Sequence, residues 1–211
     1  APEHKLRVMA RGVGGGCGAK IYSYPAEITC LWASMKTNRS VKWTSDRSEA
    51  FLTDAHGRDH VTTAKMGFDS SGKIVGFKVD TLANLGAYMS LFSSSVPTYL
   101  YAPLLSGQYN IDNIHCNVRA YYSNTVPVDA YRGAGRPEAT YLVERMMETA
   151  AREMGMDPAE LRRRNFIQSF PHATPVLMEY DAGDFPTILK MAQSSADVAG
   201  FPARRAEARS E

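Results

Sequence analysis

The stretch AYRGAGRPEATYLVERMMETAAREMG, residues 130–155, joins a glycine-bearing loop to a long amphipathic segment. Pro137 suits the first position of a helix, and Gly155 suits the position just after its end. Between them, apolar side chains recur on one helical face: Leu142, Val143, Met146, Met147, Ala150 and Met154. The stretch therefore predicts a helix of about five turns that starts at the loop and packs one face against a core.

Several shorter stretches with alternating apolar residues surround this segment. They predict strands over residues 6–10, 41–45 and 114–122. A further alternating pair, residues 58–69 and 73–82, flanks an Asp-Ser-Ser-Gly turn and predicts a hairpin. The strand at residues 6–10 has no partner before it, so we expect the natural chain to continue upstream.

Helix signals accompany these strands without regular alternation. A helix is predicted over residues 25–35, another behind the Asp157 cap, and a last one over residues 184–196. Residues 84–108 are expected to be irregular, with a short helix near 99–105, and the polar tail after residue 203 is expected to fray. The mixed order of strands and helices favours the α+β class.

Composition excludes several kinds of protein. The 211 residues are 44% hydrophobic and 22% charged, which is typical of a globular protein, and no apolar run approaches the ~20 residues of a membrane span. The net charge of +2 is too small to indicate nucleic-acid binding. Cys17, Cys30 and Cys116 form no C-x-x-C pair, which argues against zinc or iron–sulfur sites held by this chain alone and favours a cytoplasmic location.

The glycine-rich segment GVGGGCGAK, residues 12–20, is the first candidate site. Successive glycines let backbone N–H groups turn toward one anion or polar cofactor. The segment lacks the Gly-Lys-Ser/Thr of a phosphate-binding P-loop, and no acid follows at the spacing of a dinucleotide fingerprint. The glycine content alone fits both a tight turn and a cofactor loop.

The second candidate is the loop at residues 131–137. A helix N-terminus carries unpaired N–H groups and partial positive charge, which favours an anionic ligand. Arg132 and Arg136 add forked donors suited to phosphate or carboxylate. Together the two loops fit a two-sided clamp for a phosphorylated cofactor, and equally a pair of ordinary turns with solvent-facing arginines.

Both loops resemble motifs of the molybdopterin-binding subunits of the xanthine dehydrogenase/aldehyde oxidase family. The string GGGCGAK at residues 14–20 is similar to the family's GGGFGGK loop, and AYRGAGRPEA at residues 130–139 resembles a second family motif. Similar segments between and beyond them extend the resemblance over about residues 6–195, in colinear order. The sequence looks closest to the carbon monoxide dehydrogenase large-chain branch.

The resemblance implies a site for molybdopterin with molybdenum, in a form that includes the cytosine dinucleotide as one option. The implied cofactor-binding residues are Gly15, Gly16, Cys17, Gly18, Arg132 and Gly133, with Cys17 facing the metal through its backbone. Ala134 is implied to border the substrate. The family's general-base glutamate is expected beyond residue 211, so no catalytic residue is assigned within this chain.

Two departures from the family pattern bear on chemistry. Cys17 stands where the family usually has Phe, which removes an aromatic wall. Carbon monoxide dehydrogenases carry Cys-Ser-Phe between the two loop arginines, where the cysteine sulfur binds copper. This sequence has Gly133, Ala134 and Gly135 there, so we expect no copper–molybdenum centre.

The resemblance further implies part of a large subunit of a molybdenum hydroxylase, an oxidoreductase that oxidises a substrate carbon with water-derived oxygen. The implied substrate classes are aldehydes, N-heterocycles or carbon monoxide dehydrogenase-like substrates, and the implied partners are an iron–sulfur small subunit and an FAD medium subunit, in a dimer of heterotrimers. The alternative is a piece that does not retain cofactor alone. We expect residues 1–168 to be a molybdopterin-binding domain lacking its N-terminal part, and residues 169–211 to be the truncated start of the next.

Overall fold

The computed structural model describes residues 2–210, and its centre is a three-stranded sheet. Strands β1 (His60–Phe68) and β2 (Ile74–Asn84) form the expected antiparallel hairpin. Strand β3 (Ile114–Tyr121) pairs in parallel with β2, so the strand order is β1-β2-β3. Strand β2 is the middle strand of the sheet, and its buried residues Phe77 and Val79 belong to the core.

The long helix predicted from residues 130–155 is α3 (Arg136–Glu153). Its fully buried residues follow one another at intervals of four: Ala139, Val143, Met147 and Ala151. They belong to the same core cluster as Phe77 and Val79 of β2. Helix α3 therefore packs in the same core as the sheet, and the α+β class is confirmed.

Helix α4 (Pro158–Asn165) starts at the predicted Asp157 cap, whose carboxylate accepts from Glu160 N at 2.8 Å. Its last residue, Asn165, is buried and donates to Gly72 O at 2.8 Å. The same side chain accepts from Ile74 N at 2.8 Å. The side-chain amide of Asn165 thus holds the turn between β1 and β2 against helix α4.

The remaining elements lie around this core. Helices α1 (Pro25–Thr37) and α5 (Phe185–Ser195) match the prediction, and a short 3-10 helix, Ala102–Leu104, falls within the irregular region. The apolar face of α1 is exposed rather than packed in the core: Ile28, Leu31, Trp32 and Met35. Strands β4 (His172–Ala173) and β5 (Glu179–Tyr180) form a separate two-stranded sheet that the sequence did not predict.

Three expectations are wrong, namely the two strands at residues 6–10 and 41–45 and the fraying tail, and one helix was not predicted. Residues 6–10 and 41–45 are not strands, because no described strand offers them backbone partners, and Val8 is 96% exposed. The tail forms helix α6 (Phe201–Ser210) instead of fraying. Helix α2 (Arg47–Thr53) was missed, although Asp46 and Glu49 form a capping box that signals it.

Within residues 2–210, no helix has the length and apolarity needed to cross a membrane.

Candidate functional site

The loop before α3 is a tight turn that glycine makes possible. Ala134 N donates to Tyr131 O at 2.7 Å, and Arg136 N donates to Gly133 O at 3.2 Å. Gly133 has φ +97°, and a Cβ there would lie 2.7 Å from the ring of Pro137. A side chain at this position would therefore displace the proline that starts α3. The turn places the positive end of α3 directly beside the loop.

The base of this loop is fixed by a buried carboxylate. Asp129 accepts from Phe92 N at 3.0 Å and from Ala130 N. Its own N–H donates to His56 O at 2.7 Å, and His56 N donates to Pro127 O at 2.9 Å. Residues 127–130 are thus bonded on both sides before the loop begins. Asp129 was not predicted as a site residue, because its only sequence signal is its position next to the loop motif.

The glycine-rich loop leaves its backbone donors free. Lys20 N donates to Gly16 O at 3.3 Å and Ile21 N to Gly18 O at 3.1 Å, which closes a turn over residues 16–21. Within the described chain, none of the N–H groups of residues 14–18 has an acceptor. Residues 14–16 are exposed. Several unpaired donors on one exposed loop form an arrangement suited to a polar or anionic ligand.

The two loops, more than 110 residues apart in sequence, meet in the structure. A Cβ on Gly18 would lie 2.3 Å from Ala130 O, so the first loop passes against the backbone of the second at the closest distance glycine allows. Arg132 Nη2 donates to Cys17 Sγ at 3.2 Å. The fold thereby brings the six predicted cofactor-binding residues onto two touching loops, with the half-buried Ala134 in the second.

The contact between Cys17 and Arg132 could not be read from sequence. The substitution of Phe by Cys suggested a lost packing group, whereas the structure gives the thiol a guanidinium partner. The thiol side chain therefore faces the second loop. Cys17 also has φ +52°, an uncommon conformation for a residue with a side chain.

A separate cavity of about 640 Å³ lies beside the start of α3, between His60, Tyr101, Glu138 and Tyr141. His60 Nδ1 and Glu138 Oε2 are buried there without hydrogen-bond partners in the described residues. Burial lowers the pKa of His60, and Glu138 opposes that shift. Across residues 2–210, no three His, Cys, Asp or Glu side chains are grouped as metal ligands.

The family is now identifiable. A model of the molybdopterin cofactor-binding domain matches residues 1–166. This chain belongs to that family. The run of free N–H groups and the forked donors of Arg132 fit the phosphorylated, polar character of a pterin cofactor.

Two curated relatives are similar to nearly the whole of this chain. It is 38% identical over 211 residues to the carbon monoxide dehydrogenase large chain of Hydrogenophaga pseudoflava, covering 98% of this chain and 26% of that protein. It is 30% identical over 209 residues to the nicotine 6-hydroxylase large subunit of Paenarthrobacter nicotinovorans, with the same two coverages. The chain therefore spans about a quarter of the length of these relatives.

Solved structures give the same result. The quinoline 2-oxidoreductase of Pseudomonas putida 86 superposes with a TM-score of 0.91 at 28% identity, covering 99% of this chain and 27% of that one. The carbon monoxide dehydrogenase of Oligotropha carboxidovorans superposes with a TM-score of 0.84 at 34% identity, covering 99% and 26%. The resemblance seen in the two loops thus extends to the whole described fold.

Proposed function

We propose that the two touching loops form one face of the molybdenum cofactor site in the large subunit of a molybdenum hydroxylase. The observation that carries this proposal is the contact between them: Arg132 donates to Cys17 Sγ, on a loop whose N–H groups at residues 14–18 have no acceptor in the described residues. The proposed cofactor-binding residues are Gly15, Gly16, Cys17, Gly18, Arg132 and Gly133, and Cys17 approaches the molybdenum through its backbone.

In this proposal the residues of the chain bind and orient, while the cofactor supplies oxygen-atom and electron transfer when it is bound. The amides of the first loop and the fork of Arg132 bind the polar groups of the pterin. The small side chain of Ala134 leaves space for the substrate next to the second loop. The general base is provided from outside residues 1–211, so the chain contributes binding rather than proton transfer.

The substrate class we propose is an aldehyde or N-heterocycle rather than carbon monoxide at a copper centre. Soft copper(I) needs a sulfur ligand, and Gly133 offers none. A thiol could not be added there without displacing Pro137, which lies 2.7 Å from the position of a Cβ. Cys17 does point its sulfur toward the second loop, but the cationic Arg132 lies against that sulfur and would repel a second cation.

We also propose the wider assembly that the family resemblance implies. Residues 1–168 would belong to one molybdopterin-binding domain that continues upstream, and residues 169–211 would begin the next. The cofactor would be molybdopterin, with the cytosine dinucleotide as the proposed form. An iron–sulfur subunit and an FAD subunit would complete a cytoplasmic dimer of heterotrimers and carry electrons away from the site.

Metal and pterin analysis of the full-length polypeptide, purified with its neighbouring subunits, tests this function. We expect about one molybdenum and one pterin per large subunit, and the nucleotide released from the pterin identifies its form. The competing hypothesis is a scaffold that does not retain cofactor. A full-length complex that is folded and free of molybdenum and pterin would favour that hypothesis.

A further inference from the structure

Arg58 lies just before β1 and has an unusual backbone. Its φ of +62° is in the left-handed region, which residues with side chains adopt at a cost. Such a conformation persists where surrounding contacts require it. The contacts of Arg58 are with the second loop, 73 residues further along the chain.

Two contacts join Arg58 to that loop. Its Nη2 donates to the carbonyl oxygen of Arg132, and its guanidinium carbon lies 5.0 Å from the centre of the Tyr131 ring, a cation–π distance. The neighbouring Gly57 makes this approach possible, because a Cβ there would lie 2.4 Å from Tyr131 Cβ. The segment before β1 therefore places the Arg58 guanidinium against residues 131 and 132.

The bond to the Arg132 carbonyl has a consequence for the next residue. A peptide unit is planar and trans, so its C=O and N–H point in opposite directions. Fixing the Arg132 carbonyl on Arg58 therefore fixes the N–H of Gly133 on the opposite side. That N–H has no acceptor among residues 2–210. It is a free donor whose direction is set by a residue outside the loop.

We propose that Arg58 is a positioning residue for the cofactor site: it holds the Arg132–Gly133 peptide so that the Gly133 N–H is oriented toward its ligand before the ligand arrives. The inference rests on the proposed function, because the ligand is the molybdenum cofactor. Preorganised donors bind more tightly because less conformational freedom is lost on binding. Arg58 itself need not touch the cofactor or the substrate.

The test uses full-length enzyme with its partner subunits, in wild-type form and as Arg58→Ala, Arg58→Lys and Arg145→Met. Arg145 is an exposed arginine of α3 with no side-chain hydrogen bond in the described residues, so it controls for loss of one positive charge. Molybdenum and pterin per polypeptide are measured after dialysis, together with the unfolding temperature of the cofactor-free protein.

We expect Arg58→Ala to lower cofactor retention about ten-fold, because the Arg132–Gly133 peptide would then have to be ordered during binding. Arg58→Lys keeps a cation over Tyr131 and one donor, so it should retain an intermediate amount. Methylguanidine added to Arg58→Ala should restore retention, because it can occupy the vacated space and donate to the same carbonyl. Arg145→Met should match wild type.

Wild-type retention in Arg58→Ala would overturn the inference. So would a loss that neither lysine nor methylguanidine relieves and that accompanies an equal fall in unfolding temperature, since that pattern indicates a purely structural role. If Arg58→Ala does not fold, the lysine variant decides: wild-type retention with it refutes a role for the guanidinium fork. Absence of molybdenum and pterin from wild type would instead refute the proposed function.

Discussion

Substitution of Gly16 best distinguishes a cofactor-binding loop from an ordinary turn. An added Cβ there would have Lys20 Cβ as its nearest described neighbour, at 3.8 Å, which is ordinary van der Waals contact. Its φ lies outside the left-handed region. A side chain at Gly16 is thus compatible with the protein itself. Any adverse effect of the substitution must therefore come from a steric clash with a ligand that binds against the loop.

The expected size of the effect follows from this geometry. Replacing Gly by Ala at a compatible position stabilises a protein by about 0.4–1 kcal/mol, through loss of freedom in the unfolded chain. Blocking one backbone donor to a charged ligand costs about 1.5–3 kcal/mol, or roughly 10- to 150-fold in affinity. Gly16→Ala and the bulkier Gly16→Val should therefore leave the cofactor-free protein at least as stable as wild type, and they should lower the cofactor content of the full-length large subunit.

Gly18→Ala is the contrasting variant. Its Cβ would lie 2.3 Å from Ala130 O at φ +94°, so it should destabilise the protein and separate the loops. The assay measures molybdenum and pterin per full-length large subunit, alongside thermal unfolding of the cofactor-free form. Full cofactor content in Gly16→Val would refute the reasoning, because it would mean that nothing approaches the loop at that position.

Four other predictions concern the second loop, copper content, the core and pH. Arg132→Ala in the full-length enzyme should markedly reduce molybdenum content or turnover, as it removes the forked cation beside Cys17; unchanged values for both would argue against the assignment. The holoenzyme should contain no stoichiometric copper and should not oxidise carbon monoxide, which copper-to-molybdenum analysis and an assay with an artificial electron acceptor will check. Asn165→Leu should lower the free energy of unfolding by about 2–5 kcal/mol, since it leaves two buried backbone groups without partners, and denaturant titration measures this. Burial lowers the pKa of His60 below its ordinary value of 6.5, so the unfolded chain binds the extra proton and stability should decline as pH falls below about 6.5; unfolding curves at pH 7.5 and 5.5 should show a smaller decline for His60→Phe.

Local signals were enough to predict much of the fold. The α3 helix, the Asp157 cap and the β1–β2 hairpin each depend on residues close together in sequence, such as a proline at a helix start or a turn between alternating strands. The α+β class followed from their order. The strands expected at residues 6–10 and 41–45 do not form, because alternation of apolar residues does not by itself supply a neighbouring strand to pair with.

The candidate site divides in the same way. The two loop motifs, their glycines and the departure from a copper-binding cysteine are properties of the sequence itself, and the two motifs are enough to indicate the family. The contact of Cys17 with Arg132, the buried Asp129 beneath the loop and the hold of Arg58 on the Arg132 carbonyl were decided only by the tertiary structure. Each of these contacts joins residues at least 37 positions apart. Local patterns of backbone preference and hydrophobicity do not indicate which distant segments pack together in the core, so these contacts could not be predicted from the sequence.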